Sequence, residues 1–515
     1  MRNLYLLVEQ FSPPLANKEQ AGMGQEIKEY RKRRLYLRLM IGYITGILVL
    51  LALQGCTNIA YLKDMAPTSS SASSEFVSPA QTNISEATIS RMRADVPKIK
   101  DGALTLTDCI KIALERNPRT KIAWQTAQSA AARVGEEAAA YLPSAGLNLE
   151  AMRAHSDPLV SSWYRERILY DTRFSVSYLL FDGGARSARV TGVKAELLST
   201  NFQHNTILQE VALAVEEYYY ELLAVRWAMS LAQETVKQTQ YHVDLARARH
   251  ESGLVARSDV LKAETEKADA DLTLVKARSS VEIARGRLAN SMGLNVSQPF
   301  EVDENLIVDR EQELTDIKQL LDEAAESRPE LQSALAQIET ENANVKAAQS
   351  QYLPNINVNI GYGWRDYTPV LDRDEWSVGI GFNLPLFTGL DRAYQIRRAK
   401  SDLAISYTEY DKLLRDVELE VWIAYSRVIE ADQTIKAAEI LVASAEENAR
   451  VAEGEYKNGM CSIIELIDAQ TSLTAARNHL LQSRISWYTA KARFKKAVGR
   501  TLVKIDKENP LRKGK

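Results

Sequence analysis

Glu465 and Asp468, three residues apart, are the side chains best placed for chemistry in this sequence. On a helix that spacing puts both carboxylates on one face, where they attract divalent cations and repel anions. Solvated surface charges have the same spacing, so the residues alone leave both readings open. Asp259, 206 residues upstream of Glu465, repeats the first acid, whereas Lys262 replaces the second. Other candidates are weaker. The five histidines, His155, His204, His242, His250 and His479, are scattered, and His242 and His250 lack a third ligand at metal spacing. Asp182-Gly183-Gly184 lacks the Lys-Ser/Thr of a phosphate loop. Cys109 lies on an apolar helical face as core cysteines do, and Cys56, Cys109 and Cys461 form no C-x-x-C pair. No cofactor, metal centre or enzyme activity is therefore expected. The net charge of -3 leaves no basic excess for a nucleic-acid partner.

The elements that must hold these acids come in two copies. Asn117-Pro118 and Tyr141-Leu142-Pro143 recur as Arg328-Pro329 and Tyr352-Leu353-Pro354, displaced by 211 residues. Phe181-Asp182-Gly183 recurs as Phe387-Thr388-Gly389, and Ser252-Gly253-Leu254 as Asn458-Gly459-Met460, both displaced by 206. Gly293 recurs as Gly499 at the same displacement. The chain thus divides into modules 102–298 and 313–502, a linker at 299–312 and a tail at 503–515. Each module reads as helix, two strands, a very long helix, a turn and a helix.

The strand signal is clearest in the second copy. Ile356, Val358, Ile360, Tyr362 and Trp364 alternate with Asn355, Asn357, Asn359, Gly361 and Gly363. Trp376, Val378, Ile380, Phe382 and Leu384 alternate with Ser377, Gly379, Gly381 and Asn383. A period of two places the large apolar groups on one face. Such runs are long enough to cross a bilayer when tilted, with aromatics near their ends. Phe174, Val176, Tyr178 and Leu180 repeat the pattern more weakly. Four strands cannot close a barrel in lipid, so several chains must pool theirs; three chains give twelve. Between strands and turns, Ala185 to Glu251 contains no Pro and one Gly, roughly 100 Å of helix. Val211, Val215, Tyr218, Leu222, Val225 and Met229 form a coiled-coil seam, matched 206 residues on by Val417, Val421, Ala424, Val428, Ala431 and Ile435.

The first 55 residues read as a secretory signal, with Arg31-Lys32-Arg33-Arg34 before the apolar stretch Leu39 to Leu53. Leu53-Gln54-Gly55-Cys56 resembles the lipobox of bacterial lipoproteins, which implies lipidation at Cys56. Residues 56–101 read as a lipidated N-terminal linker, with many Ser, Thr, Pro and Ala over 66–90.

In combination, the Asn-Pro helix start, the Tyr-Leu-Pro entries, the Phe-x-Gly exits and the Gly-Leu and Gly-Met turns resemble the TolC-like outer membrane factor family. The resemblance implies a membrane α+β fold: a trimeric, 12-stranded outer-membrane β-barrel, four strands per chain, continued by a periplasmic α-helical coiled-coil barrel. It implies an efflux channel anchored to outer-membrane lipid, working as a homotrimer with a periplasmic adaptor and an inner-membrane pump. It places Gly253, Leu254, Gly459 and Met460 at the adaptor-contacting tip. Glu465, Asp468 and Asp259 fall at the gate, with Tyr456 as a latch. One departure stands out, because Cys461 occupies the position two after the turn glycine where that family often has arginine. A periplasmic coiled-coil adaptor, or the duct of a protein secretion system, remain as alternatives.

Overall fold

The computed structural model describes residues 102–155, 166–297, 299–304, 316–368 and 370–500. Cys56, the signal, the linker 56–101 and the tail lie outside them. The first module opens with α1 (Leu106–Arg116), set by a capping box in which Thr105 and Asp108 bond reciprocally. The single helix expected here is two, because Asn117 caps α2 (Pro118–Ala138) with Pro118 in its first turn. Strands β1 (Ser144–His155) and β2 (Glu166–Phe181) follow, then α3 (Ala185–Glu251) and α4 (Arg257–Ser291). The second module repeats the order as α5 (Ile317–Ser327), α6 (Pro329–Ser350), β3 (Asn355–Thr368), β4 (Val370–Asn383), α7 (Asp391–Lys457) and α8 (Ile463–Ala497). The two long helices have 67 residues each and their return helices 35 each.

The repeated motifs turn out to be halves of one joint. Asn117 donates through Nδ2 to the Ser291 carbonyl at 2.8 Å, closing the end of α4. In the second copy Arg328 donates to the Ala497 carbonyl at 3.0 Å, closing α8. Ser291 and Ala497 are repeat equivalents, so two different side chains satisfy the same orphan helix-end acceptor. Glycine is required beside each joint. A Cβ on Gly293 (φ +70°) would stand 2.8 Å from the Arg116 carbonyl oxygen, and one on Gly499 (φ +79°) 3.2 Å from the Ser327 carbonyl carbon.

The four strands form one antiparallel sheet in the order β1-β2-β3-β4, with β2–β3 pairing the two modules. Trp376, Val378, Ile380 and Phe382 share one face of β4 and are 65–74% exposed on the single chain. The opposite face is polar, where Ser177 donates to Asn359 at 2.9 Å and Arg365 pairs with Asp171 at 3.0 Å. A bulge between Leu179 and Phe181 interrupts the alternation at the exit of β2. Among the described residues, the outer edges of β1 and β4 have no strand partner. No described helix is long and apolar enough to cross a membrane.

The helical seam is as expected at Val211, Val215 and Leu222, all buried, while Tyr218, Val225 and Met229 are half-buried. Tyr219, Tyr220 and Leu223 fill the rest of that core with Trp487 and Tyr488 of α8. Nearer the turns the α7–α8 seam narrows to small residues, Ala445, Ala449, Ala452, Ala469 and Ala476 around Leu466 and Leu473.

Candidate functional site

Both turns between a long helix and its return helix use the same backbone device. Gly253 (φ +74°) donates to the His250 carbonyl at 2.9 Å and Leu254 to the Arg249 carbonyl at 2.9 Å. Gly459 (φ +75°) donates to the Tyr456 carbonyl at 3.0 Å and Met460 to the Glu455 carbonyl at 2.8 Å. These paired bonds end a helix on a left-handed residue, the conformation that glycine adopts without steric cost. An apolar residue following such a glycine frequently packs back on the helix it ends. Leu254 and Met460 do not: they are 68% and 70% exposed.

The predicted acids stand just beyond these turns. Asp259 lies in the first turn of α4 and Glu465 in that of α8, where the Ser462 hydroxyl caps its N–H at 3.3 Å. A helix N-terminus favours a carboxylate at each position. Asp468 lies one turn further on, and Glu465 and Asp468 are both exposed. Among the described residues neither forms an ion pair.

Tyr456 lies beneath, 1% exposed, and its hydroxyl has no hydrogen-bond partner. The residue that engages it is Arg249, near the end of α3. Its guanidinium sits 4.8 Å from the centre of the Tyr456 ring and donates to the Tyr456 main-chain carbonyl. Burial pushes the Tyr456 phenol up, opposed by Arg249 and reinforced by Asp259 and Cys461. The Cys461 thiol donates to the Ala452 carbonyl at 3.4 Å, and burial raises it too, with Glu465 and Glu455 adding. Arg249 was not singled out from the sequence. Its repeat equivalent is Glu455, so duplication gave no hint, and the expected arginine position holds Cys461. An arginine four residues before the first turn glycine was the signal to weigh.

About two turns up α3, a cavity of 540 Å³ opens between α3, α4 and α8. His242 lines it, 5% exposed, with neither ring nitrogen hydrogen-bonded. Burial holds its pKa below the usual value, with Glu453 raising and Lys457 lowering it. Among the described residues no group of three His, Cys, Asp or Glu is arranged to hold a metal ion.

The sequence matches the outer membrane efflux protein family over residues 109–294 and 320–500, one match per module. Protein CyaE of Bordetella pertussis is 25% identical over 384 residues, covering 73% of this chain and 80% of that protein. The toluene efflux pump outer membrane protein TtgC of Pseudomonas putida is 24% identical over 338 residues, 64% of this chain and 69% of that protein. A solved structure of CusC superposes with a TM-score of 0.70 at 18% identity, covering 77% of this chain and 92% of that one. The chain belongs to the outer membrane efflux protein family, and its sheet and long helices are the parts of an outer-membrane channel. The adaptor alternative is thereby set aside.

Proposed function

We propose that three copies of this chain form a passive efflux duct. It is anchored by lipid on Cys56 and docks at its helical tips on the periplasmic adaptor of an inner-membrane pump. It catalyses no reaction. The observation that carries this reading is the sheet: one apolar face, one polar face and two unpaired edges, an arrangement tolerated in lipid only when neighbours close the edges.

The duplication supplies the closing geometry. Within the chain, Gly183 at the exit of β2 lies so close to Leu353, at the entry to β3, that a Cβ there would meet the Leu353 side chain at 2.5 Å. The equivalent partners, Gly389 and Leu142, are apart in one chain, and Leu142, Leu386 and Phe387 are 63%, 89% and 82% exposed. Joining β4 to β1 of a neighbour as β2 joins β3 covers all of them. Transferring the β2–β3 register sets Phe382 opposite Leu149 of the next chain and keeps the apolar face outward. Three chains then give twelve strands, and the two acids of each chain form a ring at the tip that selects cations.

Two experiments test the reading. Oxidising a Phe382→Cys, Leu149→Cys variant in a Cys461→Ser background should give a covalent ladder ending at three chains. No ladder, or one running past three, overturns the trimeric barrel. In planar bilayers the protein should show small cation-selective openings blocked by divalent cations. A Glu465→Ala, Asp468→Ala variant should lose the block. Conductance unchanged by the substitutions discards the acidic ring but keeps the duct. Palmitate labelling lost in Cys56→Ser checks the anchor.

A further inference from the structure

Two crossed cation–π contacts join the hairpins near the tip. Arg249 of α3 covers the Tyr456 ring of α7 at 4.8 Å, and Lys457 of α7 covers the Tyr241 ring of α3 at 5.5 Å. Each long helix lends one cation and one ring. The two are unequal, because such contacts strengthen when desolvated. Tyr456 is fully buried, whereas Tyr241 is 45% exposed and Lys457 also bonds Glu453 at 2.6 Å.

Arg249 does more than stack. By donating to the Tyr456 carbonyl it places a cation on the negative end of α7, at the carbonyl that also receives the Gly459 N–H. One planar guanidinium therefore holds the ring, the helix end and the turn of the second hairpin from the first, a combination that a lysine ammonium cannot reproduce. The Tyr456 hydroxyl contributes no hydrogen bond. Nor does the second hairpin return the contact, since the equivalents of Arg249 and Tyr456 are Glu455 and His250.

We infer that Arg249 is the bolt of the gate, holding the α7–α8 hairpin to the α3–α4 hairpin through the ring and main-chain carbonyl of Tyr456, not through its hydroxyl. The inference rests on the efflux-channel reading. Widening the entrance requires the hairpin tips to part, and parting them breaks both Arg249 contacts. The arginine missing at Cys461 is thus replaced from the other hairpin. Lys457 on Tyr241 is the lesser fastening.

Single-channel recording of the full-length protein without adaptor tests this. Arg249→Ala and Tyr456→Ala should each raise the open probability about tenfold, while Tyr456→Phe stays within about twofold. Arg249→Lys should recover part of the loss, since it keeps the charge without the planar fork. Wild-type behaviour in Arg249→Ala, or a Tyr456→Phe variant as leaky as Tyr456→Ala, overturns the bolt and leaves the channel standing. Silence from the wild type and every variant overturns the channel and the bolt together. Should Arg249→Ala fail to assemble, the contrast between Tyr456→Phe and Tyr456→Ala decides.

Discussion

At the Gly293 and Gly499 ends of the hairpins, the residue after the glycine ties the chain together. Leu294 is 8% exposed, and Arg500 makes a forked pair with Glu323 at 2.8 and 2.9 Å. At the Gly253 and Gly459 ends the same position carries Leu254 and Met460, both facing outward. The backbone is alike at all four ends, each glycine lying at φ between +70° and +79°. What differs is the company. A Cβ on Gly293 or Gly499 would strike another helix end, whereas one on Gly253 meets nothing within 4 Å and one on Gly459 meets only Arg249 Nη2 at 3.2 Å. One end of each hairpin is cemented to its own module, while at the other the residue after the glycine faces outward, above Tyr456 and its Arg249 contact. A segment that must move is drawn from the weakly held parts of a structure.

Substituting the glycines gives the largest contrast. Gly293→Ala combines left-handed strain with overlap on the Arg116 backbone, and Gly499→Ala combines it with overlap on the Ser327 hydroxyl, so each should cost about 3 kcal/mol. Gly253→Ala carries the strain alone, about 1–2 kcal/mol. Thermal unfolding in detergent measures the gap, and equal losses at both ends would break the comparison. Arg328 comes next. It is 3% exposed, pairs with Glu330 and Glu420, and caps Ala497. Arg328→Ala should cost about 2–3 kcal/mol, below the full value for a buried pair because Glu420 is partly solvated. Arg328→Asn copies the Asn117 solution and should recover part of that loss, a rescue that a purely electrostatic role does not allow.

At the open end the expected effect on stability is near zero. Leu254→Ser and Met460→Ser remove exposed side chains, so unfolding should shift by no more than about 0.5 kcal/mol. If these tips dock an adaptor, both variants should lose export in cells while keeping wild-type channels in bilayers. A loss of stability comparable to Arg328→Ala would show that the tips are structural after all.

Much of the frame was legible because duplication samples each constraint twice. The displacements of 206 and 211 located the long helices, the turns and both halves of the Asn117–Gly293 and Arg328–Gly499 joint, though not that those halves touch. Strand β4 was readable because its alternation is undiluted. Strand β1 was not, since Leu147 and Leu149 give way to Ala151 and Arg153 on the same face. The tip was legible only in part. Acids three apart on a helix can be read from spacing, but Arg249 crosses between hairpins 207 residues apart, and no local period encodes that meeting.

A separate effect, on gating and not on stability, concerns His242, buried on α3 where the two hairpins meet. Its charged form faces Glu453 and Lys457 on α7, and Glu266, Asp269 and Lys276 line the same cavity from α4. Burial dominates and lowers its pKa in the joined tip. Parting the hairpins exposes the ring and returns it toward its ordinary 6.5. The joined tip then binds fewer protons than the parted one, so its advantage is complete above pH 6.5 and shrinks as pH falls below that value. Open probability should therefore stay near its neutral level above about pH 6.5 and rise below it toward pH 5.5, by at most about tenfold per pH unit for each histidine. Ordinary carboxylates stay ionised through that window, and His242→Gln should flatten the profile without changing the neutral-pH level. A profile unchanged in His242→Gln would assign the sensitivity to another group.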